Sequence, residues 1–274
     1  MRSPEPAPEG YLRIEGGDGP FYVRADLEVA FREAGLQRIG GWCRALAGAS
    51  QDSPGRGGVA RLRITADTPA ILKALRRGGL TGPLWRNRFS GPRRVLDNLW
   101  LPLAAIERDV PTPAPLALLA CAGPPGLWRG WLAVREIEGG EDLVTRIRRG
   151  AAPDGAEWGR AVAAVRALHD AGIEHPDLNL GNLLVVPGEP GSVWILDLDG
   201  ARLHDGPLPV PLRARGLMRL RRSYFKTTAR AHRPRDPVNW AGLYAGDDPL
   251  LAARLSPGVL DGVRAARHRA GRRR

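Results

Sequence analysis

The chain has 274 residues, 43% of them apolar and 26% charged, proportions of a globular protein that exclude a disordered or fibrous one. Its longest apolar stretch, around Leu116 to Ala122, falls far short of the roughly 20 residues that cross a bilayer. Residues 1–199 hold 24 basic and 24 acidic side chains and residues 200–274 hold 17 and 5, so the C-terminal part carries the entire net charge of +12 and points to a polyanionic partner: nucleic acid, an anionic membrane face or a phosphorylated substrate.

The opening Met1-Arg2-Ser3-Pro4-Glu5-Pro6 has no apolar core, so a signal peptide is not expected and the protein reads as soluble and cytoplasmic. Cys43 and Cys121 are too few for a disulfide framework or a cysteine zinc site. The first 20 residues, rich in Pro, Gly and Glu, read as a loosely ordered lead-in, and residues 1–50 as that lead-in plus the start of an N-terminal lobe. Leu27 to Ala34 fits a short helix. Asp52 to Gly58 is turn-rich, and Val59 to Ile64 alternates apolar and polar residues as a half-buried strand does. A turn at Thr65 to Thr68 leads into a second strand, Pro69 to Leu75, which carries Lys73.

Residues 93–108 fit a helix, followed by an apolar run to Cys121 and a strand from Gly130 to Ile137. Gly139-Gly140 is the expected link between an N-terminal lobe, residues 51–138, and a C-terminal lobe with a basic tail, residues 139–274. Glu157 to Ala171 places Val162, Val165 and Leu168 on one helical face, and Gly172 stands where a helix C-terminus favours glycine. Leu183 to Val186 and Val193 to Leu196 read as short strands joined by a Pro/Gly turn at 187–191.

The chemistry concentrates between these last elements. In His175-Pro176-Asp177-Leu178-Asn179-Leu180-Gly181-Asn182, an Asp is followed five residues later by an Asn, directly after a helix. A phosphoryl-transfer loop needs that pair: a carboxylate to orient the attacking hydroxyl and an amide oxygen to hold a divalent metal. The following hairpin delivers Asp197-Leu198-Asp199-Gly200, a second carboxylate of the kind a phosphate-bridging cation requires. Asp197 and Asp199 both qualify; Asp197 is preferred because it directly follows the apolar strand. Upstream, Gly55-Arg56-Gly57-Gly58 would let backbone amides approach phosphate oxygens. Lys73, one of two lysines in a chain whose other basic residues are Arg, stands where a point charge could meet nucleotide phosphates. Taken singly, each piece has a plainer reading: a surface turn, a solvated strand lysine, an Asp-Gly turn, a histidine that buttresses the loop. Their joint order carries the functional reading.

At these residues the sequence resembles the protein-kinase-like superfamily, and within it the lipopolysaccharide core kinases of the Kdo/WaaP family, 3-deoxy-D-manno-octulosonic acid (Kdo) kinases in particular. The resemblance runs from about Gly55 to Lys226 and rests on the glycine loop, Leu72 to Leu80, Leu168 to Asn179, Trp194 to Asp199 and Arg219 to Lys226. It implies an α+β, two-lobe kinase fold, with an antiparallel sheet plus one helix in the N-lobe and a mainly helical C-lobe. It also implies ATP, Mg2+ and transfer of the γ-phosphoryl group to a lipopolysaccharide inner-core sugar, the 4-hydroxyl of Kdo on a lipid A precursor. By position, Asp177 becomes the catalytic base, Asn182 and Asp197 the metal ligands, Lys73 the phosphate-pairing cation, and Gly55, Gly57 and Gly58 the phosphate cover. Three departures stand out: Asp97-Asn98 occupies the place of the N-lobe helix glutamate, Pro176 that of a small residue, and residues 1–50 and the tail after Arg230 carry no motif of the family.

Kdo bears a carboxylate and lipid A bears phosphates, so the arginines at 213, 215, 219, 221 and 222 and at 272–274 could bind the acceptor or an anionic inner-membrane surface. Leu217, Leu220 and Tyr224 share a helical face, which suits a membrane-docking helix and a solvated surface helix alike. The competing readings are a kinase-like enzyme for a heptose, another small molecule or a protein, and a pseudokinase or RNA-binding protein that uses the Arg-rich end. Nucleic-acid binding is disfavoured, because Tyr224-Phe225 is a lone aromatic pair in the basic region.

Overall fold

A computed structural model describes residues 6–49, 59–76, 88–124, 126–151, 153–186, 193–231 and 238–255. The chain divides into two compact units, Met1–Ala104 with Pro113–Glu138, and Ala105–Thr112 with Gly139–Arg274.

The first unit is built on an antiparallel sheet. Its strands are β1 (Tyr11–Gly16), β2 (Gly19–Arg24), β3 (Val59–Thr65), β4 (Thr68–Ala74), β5 (Phe89–Ser90), β6 (Pro115–Ala122) and β7 (Leu127–Arg135). They lie in the order β1-β2-β6-β7-β4-β3, with β5 added against β7. Helices α1 (Glu28–Glu33) and α2 (Ile39–Ala49) and the longer α3 (Arg93–Ile106) complete it. Successive side chains on a strand point to opposite faces, and both faces are covered. Ala117, Leu119 and Cys121 of β6 join Phe31, Leu36 and Trp42 in one apolar cluster. Leu118 and Ala120 join Val95, Leu96 and Leu99 of α3 in another. Burial on both sides is why β6 reads as an unbroken apolar run.

Two features differ from the sequence reading. The expected lead-in is a hairpin in which Tyr11 pairs with Arg24 and Gly16 with Gly19. Its Pro and Gly content mimics disorder, but Phe21, Tyr22 and Val23 are fully buried and anchor it. Gly19, at φ +131°, passes so close to β6 that a Cβ there would stand 2.3 Å from the Ala120 carbonyl oxygen. The second feature is α2, which joins α1 as an additional helical layer beside the expected sheet and α3. Gly40 and Gly41 in its first turn weaken the local helical signal, and tertiary packing overrides them. Trp42 is fully buried and donates its indole N–H to the Leu36 carbonyl at 2.6 Å.

The second unit is mainly helical. Its elements run β8 (Glu141–Asp142), α4 (Leu143–Arg149), α5 (Gly155–Asp170), β9 (Ile173–Glu174), a 3-10 turn (Leu180–Asn182), β10 (Leu183–Val185), β11 (Val193–Ile195), β12 (Arg202–Leu203), α6 (Val210–Arg230), α7 (Trp240–Ala245) and α8 (Pro249–Arg254). Helix α5 opens with a capping box, Asp154 accepting the Glu157 N–H while Glu157 reaches back to the Asp154 N–H. Glu157 also takes a two-pronged contact from Arg146 of α4, at 2.7 and 3.2 Å. The chain leaves α5 through Gly172 at φ +77°, where a Cβ would lie 2.6 Å from the Gly206 carbonyl oxygen. Trp158, Tyr224 and Trp240 pack edge to face, with ring centroids 5.1 to 5.8 Å apart.

Candidate active site

The segment from His175 to Asn182 has almost no regular structure, so its backbone groups are satisfied by side chains. The Asp177 carbonyl accepts from the side-chain amides of both Asn179 and Asn182, each at 2.9 Å. Asn179 Oδ1 in turn accepts the Gly181 N–H at 2.8 Å, and the Asn182 N–H donates to the Asn179 carbonyl at 3.0 Å. The Leu196 N–H donates to the Asn182 carbonyl at 2.9 Å, extending the β10–β11 pairing in which Leu183 faces Ile195. The structure therefore brings Asp177, Asn182 and the stretch entering Asp197 together by short, direct contacts.

His175 locks the same arrangement from beneath. It is 2% exposed; its Nδ1 accepts the Asp177 N–H at 3.2 Å and its Nε2 meets the Leu196 carbonyl at 3.1 Å. Those partners require a neutral ring with the proton on Nε2. Burial pushes its pKa down, against the opposing pull of the Leu196 carbonyl, Asp197 and Asp177. Its contacts show a histidine that buttresses the loop, the reading the sequence favours over a general base because Asp177 is better placed for that role.

Asp177 and Asp197 are exposed, and Asp199 is half-buried. Among the described non-glycine residues, Asp109 and Asp197 take positive φ, Asp197 at 59°. That left-handed backbone costs about 1 kcal/mol in an L-residue and is held by its surroundings. Both flanking residues are tied: Leu196 as described, and Leu198 by burial at 4% exposure.

Helix α6 supports the loop along one side. Gly216 lets it approach closely, since a Cβ there would come within 2.8 Å of the His169 ring and 3.3 Å of Leu178. Arg219 donates to the His175 carbonyl at 3.4 Å, and the Leu180 N–H donates to Ser223 Oγ at 3.2 Å. Behind Gly216, His169 Nδ1 accepts from the Tyr244 hydroxyl at 2.8 Å, and that oxygen accepts from Arg213 at 3.1 Å. Burial, reinforced by the Arg213 charge, pushes the His169 imidazole down to about 3. Sequence reasoning singled out none of His169, Asn179, Gly216 or Ser223 as site-forming. Asn179 lies inside the motif, but the others act through contacts distant in the chain.

Lys73 belongs to the first unit. It is half-buried on β4, paired in register with Val59 and Leu132. On α3, Asn98 is buried and donates its amide to the Arg94 carbonyl at 2.9 Å, while Asp97 is half-buried. Gly55, Gly57 and Gly58 lie outside the described residues, as do the turn at 187–191 and Arg272 to Arg274.

Two expectations for α6 are corrected. Leu217, Leu220 and Tyr224 are buried within the second unit, so this apolar face is taken by packing and does not dock on a membrane. Arg213, counted among the anion-binding arginines, is 8% exposed and donates to Asp170, to the Tyr244 hydroxyl and to the Leu208 carbonyl. Its charge is already neutralised. No helix among the described residues is long and apolar enough to cross a membrane.

The donor set can be tested against a divalent cation. Asn182 directs its amide nitrogen to Asp177, which leaves Oδ1 as the amide's ligating atom. With the Asp197 carboxylate this makes two hard oxygen donors on adjoining backbone. No cluster of three or more His, Cys, Asp or Glu suited to a metal occurs among the described residues. A pair of oxygen donors fits Mg2+, which keeps several waters and bridges to substrate phosphates.

Comparison with known proteins agrees with the chemistry of the loop. The profile of the lipopolysaccharide kinase (Kdo/WaaP) family matches residues 43–244. A 3-deoxy-D-manno-octulosonic acid kinase of Xanthomonas oryzae pv. oryzae (strain PXO99A) is 33% identical over 186 residues, 64% of this chain and 69% of that protein. Its counterpart in Haemophilus influenzae (strain PittEE) is 30% identical over 190 residues, 66% of this chain and 77% of that protein. Among solved structures, WaaP in complex with acyl carrier protein aligns with a TM-score of 0.48 at 17% identity, over 75% of this chain and 84% of that one.

Proposed function

The chain belongs to the lipopolysaccharide kinase (Kdo/WaaP) family, and on that premise we propose that it transfers the γ-phosphoryl group of ATP to the 4-hydroxyl of Kdo on a lipid A precursor. It is a phosphotransferase, and ATP is the phosphate donor that a kinase implies. The observation that carries the reading is the hydrogen-bonded web joining Asp177, Asn182 and the backbone entering Asp197. Asp177, exposed and with its backbone clamped, accepts the proton of the attacking hydroxyl and orients that oxygen. Asn182 Oδ1 and the Asp197 carboxylate would hold Mg2+, which when bound supplies charge neutralisation at the nucleotide phosphates. Asp197 is favoured over Asp199 because its strained backbone is held by ties on both sides. Lys73 pairs with the phosphates, and Gly55, Gly57 and Gly58 cover them.

The acceptor belongs to the cytoplasmic face of the inner membrane, and the protein acts there as a peripheral enzyme held by charge. The net +12 and the closing Arg272 to Arg274 support that placement, at about 1 kcal/mol per basic residue near an anionic surface.

Phosphoryl transfer from labelled ATP with Mg2+ to purified Kdo-lipid A precursor tests the proposal, with Asp177→Ala and Asp197→Asn run alongside. Label in the lipid, lost in both variants, is the expected result. Metal-dependent ATP binding without transfer would redirect the search to another acceptor, and neither binding nor transfer would make the chain a pseudokinase.

A further inference from the structure

Helix α6 carries charge that its packing does not use. It holds six arginines and Lys226 with no acidic residue in its length. Arg213 is neutralised by Asp170, and Arg221 lies over the Phe225 ring, 5.1 Å from its centroid. Arg219 donates to the His175 carbonyl. The other four, Arg215, Arg222, Lys226 and Arg230, are spaced seven, four and four residues apart, so they form one row along the helix. Residues 222, 226 and 230 are exposed, and 215 is half-buried. Like charges at these spacings repel, so the row costs stability in the free chain and gains once an anion docks on it.

The row runs beside the loop that bears Asp177. Arg219, between Arg215 and Arg222 on the helix, donates to the His175 carbonyl, and Ser223, next to Arg222 in the chain, accepts the Leu180 N–H. The helix face that touches the loop is thus flanked by the basic one. The opposite flank, with Arg213, Leu217 and Tyr224, is buried, so one edge of this contact is charged and the other is core. Arginine forks match carboxylate and phosphate oxygens in pairs, and a lysine adds a mobile point charge.

We propose that Arg215, Arg222 and Lys226 form an anion subsite that takes a carboxylate or phosphate of the acceptor and holds it against the Asp177 loop. The inference rests on the reading of the chain as a sugar kinase and adds the residues that make the acceptor's charge a requirement. The subsite acts on acceptor binding and leaves the nucleotide side untouched.

Steady-state kinetics on Kdo-lipid A precursor in neutral detergent micelles, for the unaltered protein and the Arg222→Ala/Lys226→Ala double variant, tests it. The acceptor KM is expected to rise about tenfold or more with the ATP KM and thermal midpoint unchanged, and Arg222→Lys to fall between. Methylating the acceptor carboxylate and removing the lipid A phosphates, in separate arms, identify the group that is read: the matching arm narrows the gap between the two proteins. Micelle binding without ATP is measured in parallel, so that the subsite is tested even if no phosphate is transferred and the kinase reading fails. Acceptor KM or binding unchanged in the double variant overturns the inference. So does a gap that neither treatment narrows, or a defect seen on anionic phospholipid vesicles and absent in micelles, which would make the row a membrane contact.

Discussion

Lys73 and Asp177 reach their positions by opposite means. Lys73 is set by strand register: β4 pairs with β3 on one side and β7 on the other, and apolar residues cover both faces of that sheet. Asp177 is set by side chains, with His175, Asn179, Asn182 and Ser223 each supplying the hydrogen bond that a strand or helix would otherwise supply. Position in the first unit therefore depends on volume and shape, and position in the second on the identity of polar groups. The described histidines, His169, His175 and His204, all lie in the second unit.

The largest expected effect falls at the loop itself. Asp177→Ala should lower kcat by about a thousandfold while leaving the thermal midpoint unchanged, because the side chain is exposed. A stability loss in that variant would show that the carboxylate helps to hold the loop. Next is the contrast between cores. Glu157→Ala strands the Arg146 guanidinium, whose side chain is 10% exposed, and should cost about 3–5 kcal/mol by denaturant unfolding. Leu72→Ala in the sheet core should cost about 2–5 kcal/mol, but a volume-conserving Leu72→Met under about 1.5 kcal/mol. At Glu157 no apolar replacement restores the pairing. If Glu157→Met were as mild as Leu72→Met, the polar-against-apolar division would not hold.

Acid should act on the second unit first. His169 and His175 are buried neutral, with folded pKa values pushed down, His169 to about 3. The unfolded chain binds protons below about pH 6.5 while the folded chain does not. Stability is therefore full above that pH and falls as pH drops below it, by about 1.4 kcal/mol per pH unit for each histidine. For His169 the decline continues to about pH 3. Hydrogen exchange at pH 5 should show α5 and the Asp177 loop opening ahead of the sheet, and equal loosening of both units would count against the division. The smallest effect is at Asn179→Ala, which removes one acceptor and one donor from a partly solvated turn. It should cost about 1 kcal/mol and lower kcat more than stability, measured by comparing kinetics with melting.

Much of this arrangement was legible in the sequence where the signal is local. β3, β4, α3, β7, α5 and the β10–β11 hairpin fall where alternation, helical period and turn residues place them. The Asp177, Asn182 and Asp197 spacing pointed to a loop that hydrogen bonds do draw together. The hairpin at Tyr11–Arg24 and helix α2 were not legible. Their glycines and prolines argue against regular structure, and what overrules them is burial of Phe21, Tyr22, Val23 and Trp42 against β6 and its neighbours.

The chain's own pattern determined the family, the reaction class and which part of the chain is basic, since motif order, residue type and charge are all properties of neighbouring residues. Tertiary structure decided which of those residues are available. Arg213 and Arg222 are the same residue type on one helix, yet Asp170 and Tyr244 take the first and solvent has the second. Leu217 and Leu220 looked fit for a membrane and are core. His175 could have been a base, but the Asp177 N–H and the Leu196 carbonyl occupy both of its nitrogens. In each case the deciding partner comes from a different segment, and a hydrogen bond or a buried contact between segments leaves no mark on either one alone.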